Sequence, residues 1–408
     1  MSAAERLIRY CKIDTQSDPK SPTSPSTQKQ FDLAKVLEEE LKEIGLEDVY
    51  LDEYCNVYAH MPANLDKSGK TIGFIAHMDT SPDYNGANVN PRIIPAYDGK
   101  DIVLTEGVIT RIKDFPKLSE HAGHDLMVTD GSSLLGADDK AGITAIMEAL
   151  VYWKEHPETP HCRIAVAFTP DEEIGRGTEH FDLERFDAAF AYTMDGGDIR
   201  TITDETFNAA EAVVTFRGFS IHPGSAKNKL ISAVNLAMEY HALLPEHMRP
   251  EHTEGKEGYI HVTEIKGTTE NAVMEYILRD HDRQKLEDKI ELMNRAASWI
   301  NARYGEGSCN VEIIRGYRNM KEILNHYPEV MGLAEKALLE MGLQPVSEGA
   351  RGGTDGASLS FMGLPCPNLG TGGGNAHGRY EFCDLWELEQ SSILIRKIAE
   401  TMAGGEYK

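Results

Sequence analysis

The chain has 408 residues, of which 41% are hydrophobic and 26% are charged, the proportions of a globular protein. Because domains typically hold about 100–200 residues, this length predicts two or three structural units. The formal net charge of −25, with no basic run to reverse it locally, argues against nucleic acid and anionic membranes as partners. Both of those partners are bound through clustered Lys and Arg.

The N-terminus and the cysteines indicate a cytoplasmic protein. The first residues lack the basic and apolar regions of a secretory signal, and no apolar run approaches the ~20 residues that span a bilayer. The six cysteines are scattered along the chain and none forms a CxxC pair. We therefore expect reduced, buried cysteines rather than disulfides or a zinc ribbon.

The first 208 residues alternate between helical and strand-like patterns. Helical periodicity is found at 3–12, 28–44 and 143–155. Apolar runs of strand length are found at 71–78, 163–170 and 188–195. Strands this apolar are usually covered on both faces, so the pattern predicts an α/β sheet with helices as crossovers.

A different pattern begins after Asn208. Strand-like and helix-like segments follow in the order β-α-β-β-α-β, at 211–218, 229–243, 258–267, 271–280, 282–302 and 310–317. This is the order of a ferredoxin-like unit. We expect residues 209–318 to form an α+β insertion in an α/β domain made of 1–208 and 319–408, which returns to helices at 329–342 and 384–405.

Acidic and histidine residues cluster in short motifs at or near the ends of the predicted strands. They are His77 and Asp79 (HMD), Asp138 and Asp139 (GADDKAG), Glu172 and Glu173 (TPDEE), Asp195 (MDGG) and His377 (NAHG). Taken singly, such motifs are common as helix caps, turns or solvated faces. Together, at one edge of a sheet, their negative charges require a cation. Two histidines with several carboxylates favour two metals that share a bridging carboxylate; zinc is expected, with manganese or cobalt possible.

The adjacent Glu172 and Glu173 need a separate explanation, because neighbouring like charges gain nothing from a core. Consecutive residues of an extended segment point to opposite sides, so we expect the two glutamates to have different roles. Their spacing does not determine which of them binds metal.

The motifs HMDT, GADDKAG, TPDEE, MDGG and NAHG resemble, in this order, those of the co-catalytic zinc peptidases related to aminoacylase and glutamate carboxypeptidase. The resemblance covers essentially the whole chain and is greatest to the tripeptide aminopeptidases of the group. It implies a mixed-sheet, phosphorylase/hydrolase-like α/β domain that holds two Zn²⁺ per subunit, with Co²⁺ or Mn²⁺ possible. It also implies that the ferredoxin-like insertion is a lid and forms a homodimer.

The resemblance further assigns the metal ligands and the reaction. His77 and Asp195 would bind one metal, Glu173 and His377 the other, and Asp138 would bridge both. The implied reaction is removal of the N-terminal residue of tripeptides by a metal-bridged water that a glutamate activates.

Four further residues receive roles in the same way. Glu172 would be the general base and then the acid, and Asp79 would accept a hydrogen bond from the His77 ring and hold it. His222 would stabilise the developing oxyanion in the partner subunit's active site. Arg351 would bind the C-terminal carboxylate of the peptide, for which a guanidinium is suited.

Four alternatives stay open at this point. The same metal site would serve a dipeptidase or carboxypeptidase, or an N-acyl-amino-acid deacylase, and the fold could also carry a catalytically silent metal-binding protein. The residue that meets the substrate's free amine is not identified; Asp83, Tyr84 and Asn85 are the candidates.

Overall fold

A computed structural model describes residues 1–65 and 69–404 of the chain. Residues 66–68 and 405–408 belong to the predicted α/β domain, and residue 405 to its last predicted helix; they lie outside the described residues. The chain divides into two compact units. The first unit consists of 1–204, 322–348 and the residues from 354 onward, and the second consists of 205–321 and 349–353.

The helices and strands of the described residues are numbered here in chain order. The helices are α1 (Ala3–Cys11), α2 (Gln30–Ile44), α3 (Ala137–Glu155), α4 (Leu183–Phe186), α5 (Ala233–Leu243), α6 (Arg283–Tyr304), α7 (Lys321–Leu324), α8 (Pro328–Glu340), α9 (Asp355–Met362) and α10 (Leu385–Ala403). The strands are β1 (Glu47–Leu51), β2 (Val57–Met61), β3 (Ile72–His77), β4 (Arg92–Ile94), β5 (Ile102–Thr105), β6 (Val108–Thr110), β7 (Leu126–Val128), β8 (Ile164–Thr169), β9 (Phe190–Gly196), β10 (Thr201–Thr203), β11 (Asn208–Arg217), β12 (Tyr259–Gly267), β13 (Asn271–Asp280), β14 (Cys309–Arg315), β15 (Val346–Ser347), β16 (Asn368–Gly370), β17 (Gly373–Gly374) and β18 (Phe382–Asp384).

A mixed sheet forms the centre of the first unit, with the strand order β1-β2-β8-β3-β9-β16-β10-β15. Strands β8, β3, β9 and β16 run parallel to one another, whereas β1 and β2 are antiparallel to their neighbours. Every residue of β3 and β8 is buried, which explains why both read as continuous apolar runs. The main core cluster packs these strands against the long helices α3 and α10. It includes Phe74 of β3, Ile146 of α3 and Leu394 of α10.

Two smaller sheets complete the first unit. One has the order β17-β18-β7-β4 and is antiparallel throughout, and the other is the hairpin of β5 and β6. The four-stranded sheet matters for the site because β7 leads into the loop before α3 and β18 leads directly into α10.

The second unit contains the predicted β-α-β-β-α-β order as β11, α5, β12, β13, α6 and β14. Its antiparallel sheet has the order β12-β13-β11-β14, in which the first strand of the unit lies between the third and the fourth. Val214, Leu236 and Met293 belong to its own hydrophobic core, which draws on the sheet and both helices. The ferredoxin-like order predicted from the sequence is therefore confirmed.

The second unit extends beyond the insertion predicted over 209–318, because 205–208, 319–321 and the loop 349–353 also belong to it. The amide of Ala350 donates to the carbonyl oxygen of Glu205 at 2.8 Å. The amide of Phe207 donates to the carbonyl oxygen of Gly352 at 3.3 Å. A five-residue loop without periodicity gives no sequence signal for such a return of the chain.

All six cysteines are buried and unpaired, as predicted. Among the described helices, none combines the length and the apolar character needed to cross a membrane.

Candidate metal centre

Three parallel strands bring predicted site residues to one edge of the central sheet. Ile75 of β3 lies opposite Thr193 of β9, which sets His77 and Asp195 near each other two residues further on. Glu172 follows the end of the next strand, β8. The prediction that strand ends gather these groups holds for these three segments.

Asp138 reaches the same place from the start of a helix and not from the end of a strand. It lies at the start of α3, after a loop, and has an extended backbone conformation (φ −81°, ψ 104°) rather than a helical one. Glu381 holds this loop: its carboxylate accepts hydrogen bonds from the amides of Leu135, Gly136 and Asp138 at 2.7, 2.8 and 3.0 Å. Glu381 was not predicted as a site residue from the sequence, although it follows the predicted ligand His377 by four residues.

Asp138 lies between the two predicted metal-binding histidines. Its Oδ1 is 3.0 Å from Nε2 of His77, and its Oδ2 is 3.4 Å from Nε2 of His377. One carboxylate oxygen thus faces each imidazole, which is the arrangement that a bridging ligand requires.

The remaining predicted ligands divide between the two histidines. Asp195 Oδ1 lies 3.7 Å from Nε2 of His77, and Glu173 Oε2 lies 2.9 Å from Nε2 of His377. His377 itself has a left-handed backbone conformation (φ 64°), which is uncommon for a residue other than glycine and often marks a functional position.

The donor atoms fit divalent cations. Possible ligand groups include His77 with Asp138 and Glu173, and His77 with Glu172 and Asp195, each with its donor atoms within 4.8 Å of one another. In addition, Oε1 of Glu173 is buried without a hydrogen-bond partner. A buried carboxylate oxygen left in this state is costly, and a cation beside it would satisfy it.

Asp79 contacts both the His77 ring and the glutamate turn. Nδ1 of His77 lies 3.1 Å from the carbonyl oxygen of Asp79 and 3.3 Å from its carboxylate. The same carboxylate accepts hydrogen bonds from the amides of Glu172 and Glu173 at 3.0 and 3.3 Å. Asp79 therefore orients two segments of the site, of which the sequence predicted only the first.

Glu172 and Glu173 do not lie in an extended segment, which corrects the sequence-based explanation of their different directions. They begin a single 3₁₀ turn, Glu172–Ile174, after Asp171 in a left-handed conformation (φ 54°). Within this turn Glu173 meets His377, while Oε2 of Glu172 lies 4.0 Å from Nε2 of His77. The turn, not strand alternation, separates the two side chains.

Burial among like charges shifts the carboxylates toward the protonated form. Burial and the nearby Asp195 raise the pKa of Glu172 well above its usual range, against the influence of His77. Burial and Asp138 raise the pKa of Glu173 to about 8, and burial raises the pKa of Asp195 to about 6. A divalent cation bound beside these groups would favour their charged forms.

The pKa values of the two histidines are raised and that of Asp138 is lowered, so all three residues favour their charged forms. Burial disfavours the charged form of Asp138, but hydrogen bonds from His377 and His77 outweigh it and lower the pKa of Asp138 below its usual range. Hydrogen bonds to Asp138 and Glu173 raise the pKa of His377 to about 11. The cluster thus attracts positive charge at the position between the two imidazoles.

Asp355, at the start of α9, is a second buried acid that was not predicted from the sequence. Its Oδ2 accepts a hydrogen bond from the Thr169 hydroxyl at 2.7 Å, and burial raises its pKa to about 7. A Cβ on Gly177 would lie 2.3 Å from its other oxygen, so the chain following the glutamate turn passes close over Asp355.

Asp83, a candidate for binding the substrate amine, lies near a proposed ligand. Its Oδ2 is 3.5 Å from Nδ1 of His377, and its side chain is 69% exposed. A cavity of about 250 Å³ is bounded by Asp138, Asp195 and Gly373, along with other glycines of the same loops. It offers space for a small ligand beside the carboxylates.

His222 and Arg351 belong to the second unit. His222 begins a short 3₁₀ turn, and its Nδ1 accepts a hydrogen bond from the amide of Gly224 at 3.1 Å. Arg351 donates to the carbonyl oxygens of Gly255 and Glu257 at 2.7 and 2.8 Å. Their catalytic and substrate-binding roles stay predictions.

The chain matches the family model "Peptidase family M20/M25/M40" over residues 131–401. It is 49% identical over 398 residues to peptidase T of Bacillus licheniformis, which covers 97% of each chain. The similarity therefore extends over both units and not over the metal centre alone.

Two solved structures share the fold. An aminopeptidase of Bacillus cereus, PepT, superposes with a TM-score of 0.76 at 23% identity, and a tripeptidase of Staphylococcus aureus superposes with a TM-score of 0.78 at 22% identity. Each comparison covers 98% of both chains.

Proposed function

The chain belongs to peptidase family M20/M25/M40, and from this premise we propose that it is a metal-dependent aminopeptidase that removes the N-terminal residue of tripeptides. The identity to peptidase T supports this reading over the other activities of the group because it extends along the whole chain. The descriptions of the two structural neighbours, an aminopeptidase and a tripeptidase, agree with it.

One observation carries the proposal. Asp138 presents one carboxylate oxygen to His77 and the other to His377, at 3.0 and 3.4 Å, while the buried Oε1 of Glu173 has no partner. Histidine and carboxylate donors in this arrangement suit a pair of divalent cations better than they suit any network of hydrogen bonds.

In the proposed centre, His77, Asp138 and Asp195 would hold one cation, and His377, Asp138 and Glu173 would hold the other. The donor types favour Zn²⁺, with Co²⁺ and Mn²⁺ as alternatives. When bound, the two cations supply Lewis-acid polarisation of the scissile carbonyl group.

Glu172 acts as the general base and then as the general acid. It takes a proton from the water that attacks the scissile carbonyl carbon and gives that proton to the amine released when the C–N bond breaks. Its backbone amide is held by Asp79, and its side chain is only 13% exposed, which keeps the carboxylate in place.

His222 stabilises the developing oxyanion, and Arg351 binds the C-terminal carboxylate of the substrate. A guanidinium has five N–H donors, and contacts with Gly255, Glu257 and Thr253 occupy three of those of Arg351. The remaining N–H donors of Arg351 would bind the substrate carboxylate. We further propose that the protein acts in the cytoplasm and forms a homodimer through its second unit.

A substrate panel on metal-replete protein tests the proposed function. It contains a free tripeptide, its N-acetylated form, its C-terminal amide and the corresponding dipeptide. We expect the free tripeptide to be cleaved after its first residue and the N-acetylated form to resist. The C-terminal amide should show a raised KM, because it lacks the carboxylate proposed to bind Arg351.

Each of the three alternative activities gives a different result in this panel. Rapid loss of the acetyl group would identify a deacylase, release of the last residue a carboxypeptidase, and a preference for the dipeptide a dipeptidase. Any of these three results would contradict the proposed activity.

A further inference from the structure

A second group of potential metal ligands lies outside the metal centre and shares no residue with it. His121, His124 and Asp384 offer two imidazole nitrogens and one carboxylate oxygen within 4.8 Å of one another. All three belong to the first unit. None of them has a role in the proposed hydrolysis.

The two imidazoles converge on a single atom. Nδ1 of His121 lies 2.8 Å from Oδ2 of Asp384, and Nδ1 of His124 lies 2.6 Å from the same oxygen. A second carboxylate adjoins them, because Oε1 of Glu387 is 3.4 Å from Nδ1 of His121. These separations are similar to those between the donors of the proposed dinuclear centre, where His377 and Glu173 are 2.9 Å apart.

Backbone amides orient both carboxylates toward the histidines. Oδ1 of Asp384 accepts hydrogen bonds from the amides of Trp386 and Glu387, both at 3.0 Å. Oε2 of Glu387 accepts a hydrogen bond from the amide of Ile199 at 2.9 Å. Each carboxylate therefore has one oxygen bound to backbone and the other directed to the cluster, as is usual for metal-ligating carboxylates.

Aromatic side chains and a sheet hold the imidazoles in place. The ring of His121 meets Phe382 edge-on at 5.0 Å, and the ring of His124 lies 4.9 Å from that of Trp386. Asp384 ends β18, where it pairs with Leu126 of β7, so the loop with both histidines is joined to the start of α10. The donors are thus preorganised by packing.

The side chains of Asp384 and Glu387 are almost fully buried, with 0% and 9% of their surface exposed. Two buried carboxylates attract positive charge, which either an imidazolium or a divalent cation can supply. Two imidazole nitrogens with two carboxylate oxygens are a complete four-ligand set for zinc.

We propose that His121, His124, Asp384 and Glu387 form a further divalent-cation site of the zinc type, separate from the dinuclear centre. Because its ligands come from two segments far apart in sequence, the bound ion would join the loop before β7 to the first turn of α10. The site is structural in this proposal and takes no part in the chemistry.

Metal content measured by elemental analysis tests the proposal. The comparison is between the wild type, a His121→Gln/His124→Gln double variant and a His156→Gln control, each equilibrated with zinc and freed of loosely bound metal. His156 is a suitable control because it also pairs with a carboxylate, that of Glu158, but stands at the surface outside any cluster. We expect the double variant to lose about one equivalent per chain and the control to lose none. Equal metal content in all three proteins would overturn the proposal.

A second measurement does not depend on the folding of the double variant. Trp386 adjoins His124, so Co²⁺ bound at the cluster should quench its fluorescence, and a Trp386→Phe variant isolates that contribution from the other tryptophans. We expect a saturable loss of the Trp386 signal on titration with Co²⁺. A Trp386 signal that is unchanged when Co²⁺ has filled the dinuclear centre would show that the cluster is held by hydrogen bonds and protons alone.

Discussion

At the scale of single residues, the site depends on side chains that share a backbone segment but have different partners. Glu173 meets His377 at 2.9 Å, whereas Glu172 lies toward His77 and is held through its amide by Asp79. The adjacent carboxylates are therefore separable by mutation, one as a proposed ligand and the other as the proposed base.

Glu172→Gln keeps the size of the side chain and removes its capacity to take a proton. We expect a loss of roughly 10²–10⁴-fold in turnover with metal content unchanged. The measurements are kcat for a tripeptide and elemental analysis of the same sample.

Glu173→Ala is the matched comparison for Glu172→Gln, one residue along the same turn. It removes the buried Oε1 that lacks a partner and the Oε2 that faces His377, so we expect reduced metal content. Near-normal turnover in Glu172→Gln, or full metal content in Glu173→Ala, would contradict these assignments.

At the scale of elements, the site depends on how closely α3 packs against β9. A Cβ on Gly142 of α3 would lie 2.0 Å from the carbonyl oxygen of Met194 in β9 and 2.5 Å from Oδ1 of Asp139. Only a residue without a side chain allows the helix to lie this near the strand that carries Asp195.

Gly142→Ala should destabilise the protein by about 1–3 kcal/mol, since the backbone itself must move to accept the methyl group. Thermal unfolding measures the effect, and Gly352→Ala is the control, because a Cβ there meets open space. Equal melting temperatures of the two variants would show that α3 is free to shift.

Continuous apolar runs and helical periodicity made most of the helices and strands predictable. The apolar strands β3, β8 and β9 and most of the long helices were expected near their observed bounds, because burial on both faces leaves a continuous apolar run and burial along one face leaves a repeating pattern. The exception is α3, which begins at Ala137 and not at the predicted residue 143. Strands of two or three residues, such as β15 and β17, leave no such pattern, since their pairing is set by distant parts of the chain.

In the candidate site, too, residues in local motifs were predictable from the sequence, whereas residues that act through distant contacts were not. His77, Asp138, Glu173, Asp195 and His377 stood in recognisable motifs, and the structure brings them together. Glu381 and Asp355 support those motifs through contacts with residues some 240 and 190 positions away, at backbone amides and a threonine hydroxyl, and no local spacing encodes such contacts.

At the scale of the whole molecule, the two units have separate cores and different proposed tasks. The first unit contains the candidate metal ligands, while the second contains His222 and Arg351. A protein with this division of residues needs both units for hydrolysis in the proposed mechanism, and a homodimer would allow one chain to complete the site of another.

His222→Ala should lower turnover while metal content stays unchanged, because the residue is proposed to stabilise the oxyanion and not to bind metal. Mixing this variant with Glu173→Ala should restore part of the activity if His222 acts on the partner subunit. Activity of the mixture equal to the sum of its components would place the action of His222 within one chain.

The most direct test of the central claim is hydrolysis of a free tripeptide by protein stripped of metal with a chelator and then titrated with zinc, cobalt or manganese. We expect the stripped protein to lose its activity and turnover to return as the proposed dinuclear centre fills. Undiminished turnover by protein shown to be free of metal would contradict it.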